Sequence, residues 1–191
     1  MIVALCQINA AVGNFEDNSR KIIDNYNRAL QSKPDLVVFP EMALCGYPPQ
    51  DLLWDRRFLA NSENYIEELA KICSTPMIIG YVRAENNLIY NSASLCENGE
   101  IKFTYDKILL PTYDVFDETR YFTKGNKLGI VSLNIKGSEK KIGIQICEDL
   151  WDEGYDYKVS KELINAGVDI IINISASPFH DEQLIIRRNL I

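Results

Sequence analysis

Apolar residues are arranged along the chain in two patterns, short runs and helix-like spacing. The runs predict strands at residues 2–8, 36–39, 77–82, 88–95, 101–105, 128–135, 141–147 and 168–174. The helix-like spacing predicts helices at residues 16–31, 61–74 and 155–166, with a fourth beginning within 181–191. A wholly apolar run such as 36–39 is typical of a strand that is covered on both faces. The alternation of the two patterns predicts an α/β layered fold with a mixed sheet.

Polar segments between the apolar runs predict the turns. Residues 97–100 (Glu-Asn-Gly-Glu) supply a hairpin turn, and residues 136–140 form a second polar turn. Asn14 or Asp17 can cap the first helix. Residues 106–127 are rich in aromatic side chains and show no periodicity. Such a long loop favours a binding role, although a packed surface loop has the same pattern.

The length of the chain sets the expected size of the fold. Its 191 residues suffice for one domain with a substantial core, so residues 1–191 are predicted to form a single domain. The sequence stops inside the last predicted helix. Strands as apolar as these normally need more chain to cover them, so we expect a domain that is incomplete at its C-terminus.

Charge and cysteine content exclude several classes of protein. The net charge is −7 with no cluster of Lys and Arg, which argues against nucleic acid and membrane surfaces as partners. No long apolar run or export signal is present. Five widely spaced cysteines fit a reduced, cytoplasmic setting better than a disulfide framework. With one histidine and no Cys-x-x-Cys pair, no metal site is expected.

Reactive side chains follow the predicted strands. Glu41, Lys107 and Cys147 each lie just after a strand, and Ser177 and His180 follow another. Ligand sites of open α/β sheets form beyond the carboxyl ends of strands. If these ends converge, a thiol, a carboxylate and an ammonium share one pocket, which is sufficient for acyl transfer.

Each of these residues also has a structural interpretation. Glu41 could cap a helix, Lys107 could be a solvated loop charge, and Cys147 could be a core thiol. His180 could pair with the cysteine, although a structural or pocket-wall histidine is favoured because Glu41 already supplies a base. Trp151 is expected in the core. Spacing alone does not decide between the structural and the catalytic set.

Three segments of the sequence are similar to known catalytic motifs. Residues 39–49 (FPEMALCGYPP), 105–111 (YDKILLP) and 146–151 (ICEDLW) resemble the catalytic segments of the nitrilase (carbon–nitrogen hydrolase) superfamily. Residues 46–53, 110–122 and 173–180 look like the variants found in the glutaminase domains of glutamine-dependent NAD+ synthetases. The resemblance runs nearly from end to end in the same order.

The resemblance implies a fold and a set of roles. It implies a nitrilase-like four-layer αββα sandwich, with Glu41 as general base, Lys107 as the cation that stabilises the oxyanion, and Cys147 as nucleophile. The resemblance also assigns Glu148 to the pocket, with its backbone N–H as a candidate oxyanion donor. The side chains of Glu148 and Asp149 could instead simply cap the segment after the strand. Further pocket residues are Tyr47, Tyr113, Glu118 and Ser177. Gln183 stands where such domains often carry a basic residue suited to a substrate carboxylate.

The implied reaction is hydrolysis of glutamine to glutamate and ammonia through a cysteine thioester. No cofactor is implied for this step. The ammonia would pass to a synthetase domain that converts deamido-NAD+ to NAD+. ATP and Mg are implied only for that domain, which is absent from this sequence, and a homo-oligomer is expected. Two other functions stay open: a free-standing amidase of the superfamily, and a catalytically inactive domain used for binding or assembly.

Overall fold

The structure of the protein is a computed structural model that describes residues 1–178, 181 and 183–190, without the side chain of Gln183. Within these residues the strands are β1 (Val3–Leu5), β2 (Leu36–Val38), β3 (Met77–Glu85), β4 (Leu88–Glu97), β5 (Glu100–Asp106), β6 (Gly129–Ile135), β7 (Ser138–Ile146) and β8 (Ile170–Ile174). The α-helices are α1 (Phe15–Leu30), α2 (Arg56–Lys71), α3 (Val159–Asn165) and α4 (Gln183–Leu190). Short 3₁₀ turns are formed by Gln50–Trp54, Glu118–Arg120, Cys147–Leu150 and Asp152–Gly154.

The strands form two mixed sheets, not the one sheet that the pattern predicted. A five-stranded sheet has the order β1-β2-β3-β4-β5, with its first three strands parallel and the last two pairs antiparallel. A three-stranded sheet has the order β6-β7-β8, antiparallel and then parallel. Strand periodicity reports which residues are covered but not which strand pairs with which, so the division was not visible in the sequence.

The two sheets stack face to face between helices. In β2, Val37 points to a core shared with α1 and α2, while Leu36 and Val38 point to a second core shared with the three-stranded sheet. Helix α3 covers the outer face of that sheet through Val159 and Leu163. The layers are therefore helices, sheet, sheet and helix. The four-layer αββα sandwich is confirmed.

Several predicted boundaries were wrong, and two of the differences have a clear physical reason. Helix α2 begins at Arg56 rather than residue 61, because the Asp55 side chain caps it by accepting from the Arg57 N–H. The second hairpin turn consists of Lys136 and Gly137 alone, both with positive φ, and not of residues 136–140. A two-residue turn of this kind matches the twist of the flanking strands. The polar residues that follow it belong to an exposed part of β7.

The carboxyl ends of six strands lie along one edge of the sandwich. They are β1, β2, β3 and β5 of one sheet and β7 and β8 of the other, and β4 begins there because it runs antiparallel to its neighbours. No helix among the described residues is long and apolar enough to cross a membrane. All five cysteines are free thiols, as expected.

Candidate active site

Glu41 is placed by a close approach between two backbones. It lies three residues after β2, and Gly80 of β3 packs directly against it. A Cβ on Gly80 would lie 2.5 Å from the Met42 nitrogen and 2.6 Å from the Pro40 oxygen. The Gly80 N–H also donates to that oxygen at 3.2 Å. Any side chain at position 80 would therefore displace the segment that carries the carboxylate.

The Glu41 carboxylate is 2 % exposed and accepts three hydrogen bonds. Oε1 accepts from the Lys107 Nζ at 3.0 Å and from the Asn91 Nδ2 at 2.8 Å. Oε2 accepts from the backbone N–H of Ala176 at 2.9 Å. These donors come from both sheets, so the carboxylate lies at the seam between them.

Lys107 lies between two carboxylates and is buried. Its Nζ is 3.0 Å from Glu41 and 2.9 Å from Glu118. Burial opposes the ammonium charge, but the two carboxylates outweigh it and hold the pKa of Lys107 well above its usual value. Burial, together with Glu41, raises the pKa of Glu118 to about 7 although Lys107 acts in the opposite direction. Tyr47 donates its hydroxyl to Glu118 at 3.0 Å.

Cys147 follows β7 directly and starts a 3₁₀ turn. Its φ is 44°, a left-handed conformation that is uncommon outside glycine and marks a strained turn. The Sγ lies 3.2 Å from the Ser177 Oγ and accepts from the Ser175 hydroxyl at 3.4 Å. Asn173 donates to the Cys147 carbonyl at 3.3 Å. Strand β8 and the segment after it thus hold the Cys147 thiol in place.

The electrostatics of the site keep Cys147 protonated at rest. Burial raises the pKa of the Cys147 thiol to about 12, and Glu41 adds to that shift while Lys107 reduces it. At neutral pH the sulfur is therefore a thiol that needs a base in order to attack. Of the described groups, Glu41 is the carboxylate that both touches the loop around the sulfur and lies beside the lysine.

We predict that Cys147 shows no ionisation between pH 6 and 9. A pKa near 12 leaves almost all of the thiol protonated over that range. The measurement is thiolate absorbance during a pH titration, taken as the difference between the native protein and Cys147→Ser, which subtracts the other four cysteines. If the absorbance difference rose below pH 9 by the amount expected for one thiolate, Cys147 would be a thiolate paired with a cation at rest and not a thiol activated by a base.

Asp149 connects the turn that carries Cys147 to the segment that carries Lys107, and its role was not predicted from the sequence. Its fully buried carboxylate accepts from the backbone N–H groups of Ile146, Ile108 and Leu109 at 2.9, 3.2 and 2.9 Å. Tyr105 donates its hydroxyl to it at 2.8 Å. These residues flank both reactive positions. The sequence suggested only a capping acid after the strand, although its position two residues after the cysteine was a usable signal.

Glu148 is a second buried carboxylate, with tyrosine hydroxyls as its described partners. Tyr113 and Tyr155 donate to it at 2.9 Å each. It borders a cavity of about 220 Å³ that Cys147 and Ser177 also line. Trp151 lines this cavity as well and is only partly buried, so its expected place in the core was wrong. The large indole is needed at the site wall, which hydrophobicity alone does not reveal.

A neighbouring cavity is lined by the Glu41 carboxylate and by an arginine. This cavity of about 290 Å³ is lined by Glu41, Tyr47, Ser177 and Arg187, among others. Arg187 belongs to α4, one helical turn after Gln183. The predicted contact of the Gln183 side chain lies outside the described residues, as does His180.

The described residues contain no group of three metal-binding side chains. The site instead joins a protonated thiol, a carboxylate and an ammonium, with two carboxylates and hydroxyls around them. A thiol with an adjacent base can attack a carbonyl, and an ammonium can stabilise the resulting oxyanion. Set in an αββα sandwich, this arrangement defines a cysteine hydrolase of the nitrilase type.

Comparison with known proteins gives the family. The family model "Carbon-nitrogen hydrolase" matches residues 2–190, and the chain belongs to this family. The chain is 37% identical to a glutamine-dependent NAD(+) synthetase of Synechocystis, with 99% of this chain and 36% of that protein aligned. It is 38% identical to the enzyme of the same name from Thermotoga maritima, over 98% and 32% of the two chains. The chain therefore spans about a third of the length of these relatives.

Solved structures share the fold. Glutamine-dependent NAD+ synthetase from Acinetobacter baumannii has a TM-score of 0.87 and 32% identity, over 97% of this chain and 34% of that one. An amidase from Nesterenkonia sp. has a TM-score of 0.79 at 18% identity, over 96% and 68%. The second match shows the fold alone.

Proposed function

We propose that the protein hydrolyses the side-chain amide of glutamine to glutamate and ammonia through a thioester on Cys147. The observation that carries this proposal is the placement of Glu41. Its carboxylate bonds to Lys107 through one oxygen and to the loop that surrounds the Cys147 sulfur through the other. The relatives named glutamine-dependent NAD(+) synthetases support glutamine as the amide.

The first half-reaction forms the thioester. Glu41 takes the thiol proton while the sulfur of Cys147 attacks the amide carbonyl carbon. Lys107 has three N–H donors, of which Glu41 and Glu118 engage two, so one is free for the developing oxyanion. The backbone N–H of Glu148 is the second candidate donor. When the C–N bond breaks, Glu41 returns the proton to the nitrogen, which leaves as ammonia.

The second half-reaction regenerates the thiol. Glu41 takes a proton from a water molecule, whose oxygen attacks the thioester carbonyl. The C–S bond then breaks, the sulfur regains a proton, and glutamate is released. The same carboxylate therefore serves as base and acid twice in a cycle.

Two charged groups suit the two ends of a free amino acid. The Glu148 carboxylate is 3 % exposed and can accept the α-ammonium group of glutamine at the cavity wall. Arg187 lies where a cation can pair with the α-carboxylate, a role for which the uncharged Gln183 is poorly suited. Ser177 borders both cavities and can contact either end.

The wider role follows from the same relatives. We propose that the ammonia is used in the cytoplasm by a synthetase domain that forms NAD+ from deamido-NAD+ with ATP and Mg, in a homo-oligomeric enzyme. The lengths of the relatives, about three times that of this chain, support a further domain in proteins of this kind. The hydrolytic step as proposed needs no cofactor, because its reacting groups are side chains, a backbone N–H and water.

Glutamine is expected to be the preferred amide, and Arg187 to provide part of that preference. In the full-length protein, Arg187→Gln should raise KM for glutamine on the order of tenfold to hundredfold, the usual effect of losing a hydrogen bond between charged groups. The rate with propionamide, which has no carboxylate, should not change. Ammonia release is measured for both amides, and Arg188→Gln is the control because Arg188 is the exposed neighbour on the same helix.

Two outcomes would contradict these assignments separately. Faster hydrolysis of propionamide than of glutamine by the native protein would favour a free-standing amidase. If Arg187→Gln and Arg188→Gln both kept the native preference for glutamine, Arg187 would not contact the substrate. The proposed reaction would still stand.

A further inference from the structure

The hydrogen bonds of Glu41 leave room for one more donor. A carboxylate has about four acceptor positions, two on each oxygen. Oε1 uses both of its positions for Lys107 and Asn91, at 3.0 and 2.8 Å. Oε2 uses one for the Ala176 N–H at 2.9 Å. Among the residues that the structure describes, the position that remains open is therefore on Oε2.

Oε2 also lies on the side of Glu41 that faces the Cys147 sulfur. Ala176 lies between Ser175 and Ser177, whose hydroxyl groups contact the Cys147 sulfur at 3.4 and 3.2 Å. Oε1 is turned to the other side, where the ammonium lies. A proton that leaves the thiol thus reaches Oε2 before Oε1.

Asn91 is the second hydrogen-bond donor to Oε1 of Glu41 and so determines which oxygen of the carboxylate has no open acceptor position. It belongs to the start of β4 and is 1 % exposed. Its backbone carbonyl accepts from the Lys107 N–H at 2.9 Å, while its side-chain N–H₂ donates to Glu41. One residue thus orients both the carboxylate and the lysine segment.

Stability does not explain an asparagine at this position. The side-chain carbonyl oxygen of Asn91 is buried and has no hydrogen-bond partner among the described residues. A buried polar atom without a partner lowers the stability of the folded state. The residue is better explained by what its N–H₂ group does to Glu41.

We infer that Asn91 is a positioning residue that occupies Oε1 of Glu41 and so reserves Oε2 as the atom that accepts the thiol proton. The inference rests on the proposed roles of Glu41 and Cys147, but not on glutamine as the substrate. It assigns the proton transfer to one oxygen of the base.

The test uses two substitutions of Asn91. Asn91→Ala removes the donor without adding charge and is the decisive variant, because a packing role alone would not separate kcat from KM. Asn91→Asp keeps the shape of the side chain but places a second carboxyl group beside Glu41, so the two either repel or share a proton. It should therefore be at least as damaging as the alanine.

We expect Asn91→Ala to lower kcat on the order of tenfold to hundredfold, a part of the usual effect of general-base catalysis, with KM within about threefold of the native value. Asn91→Asp should lower kcat further at pH 8. Ser94→Ala is the matched control, because Ser94 is a buried polar residue of the same strand whose hydroxyl bonds to Tyr81 and Thr104, away from the site. Circular dichroism verifies that each variant is folded.

The rate of Cys147 alkylation by iodoacetamide, followed by mass spectrometry, gives a reading that needs no substrate. It should fall in the same order as kcat. Three results would overturn the inference. The first is a smaller decrease in kcat for Asn91→Asp than for Asn91→Ala, and the second is a change in KM instead of kcat. The third is a decrease in kcat for Ser94→Ala as large as that for the Asn91 variants. If the native protein hydrolysed no amide, the proposed function would fail, and the alkylation rates would still decide the role of Asn91.

Discussion

Cys147→Ala is expected to lower amide hydrolysis by roughly four orders of magnitude or more, because the covalent intermediate can no longer form. The Cys147 sulfur, the proposed nucleophile, lies between the serine hydroxyls after β8. The carboxylate and ammonium would remain in place, since neither is hydrogen bonded to the sulfur. The variant should therefore bind substrate without turning it over.

The measurement is ammonia release together with calorimetric binding of glutamine. Cys45→Ala is the matched control: Cys45 is also fully buried, and burial raises its pKa to about 12 as well. Its rate should stay close to that of the native protein. A Cys147→Ala protein that releases ammonia at a near-native rate would show that another group is the nucleophile. Equal inactivity of native and variant proteins would favour a binding or assembly role.

Lys107→Met should be nearly inactive and markedly less stable. The lysine side chain is 0 % exposed and separates two buried carboxylates, so its removal leaves like charges without a partner. Breaking a buried pair in this way typically costs about 3–5 kcal/mol of unfolding free energy. The loss of the oxyanion donor should lower kcat by about 10²–10³-fold in addition.

The loss of unfolding free energy in Lys107→Met should be larger at higher pH. In the native protein the pKa of Glu118 is already raised to about 7, so its contribution to stability is present at acid pH and is lost as pH rises through that value. Without the lysine the pKa of Glu118 rises further, so the variant continues to lose stability above pH 7, where the native protein no longer does through this group. The deficit in unfolding free energy should therefore widen as pH rises above about 7. Urea titrations at several pH values measure it.

Two further variants make this prediction specific. Lys107→Met combined with Glu118→Gln removes one of the two charges and should regain stability but not activity. Lys102→Met is the control, because Lys102 pairs with Glu100 at the exposed surface and such pairs add little to stability. A Lys107→Met protein as stable as Lys102→Met at pH 8 would contradict the buried charge cluster.

The sequence pointed to the candidate site residues because of where they lie relative to strands. Glu41, Lys107 and Cys147 each follow an apolar run, and strand ends are where sites form in layered folds. The structure brings all three to one edge. The same pattern could not reveal that the strands divide into two sheets, since pairing is a long-range property that periodicity does not encode.

The residues that support the reactive set were harder to predict. Asn91 lies inside a run that reads as an ordinary strand, and only the antiparallel course of β4 places it beside Glu41. Asp149 looked like a cap, because its partners Ile108 and Leu109 are about 40 positions away in sequence. Such contacts depend on how the two sheets stack, which local patterns do not determine.

The seam between the sheets has a consequence for folding. The base, the ammonium and Asn91 come from the five-stranded sheet, whereas Cys147 and Ser177 come from the three-stranded sheet. Each sheet can form its own hydrogen bonds before the two meet, yet neither carries a complete reacting set. During synthesis the five-stranded sheet, which carries the base, is completed before the three-stranded sheet, which carries the thiol. Recovery of catalysis on refolding should thus report the final docking of the layers, a later event than the recovery of secondary structure.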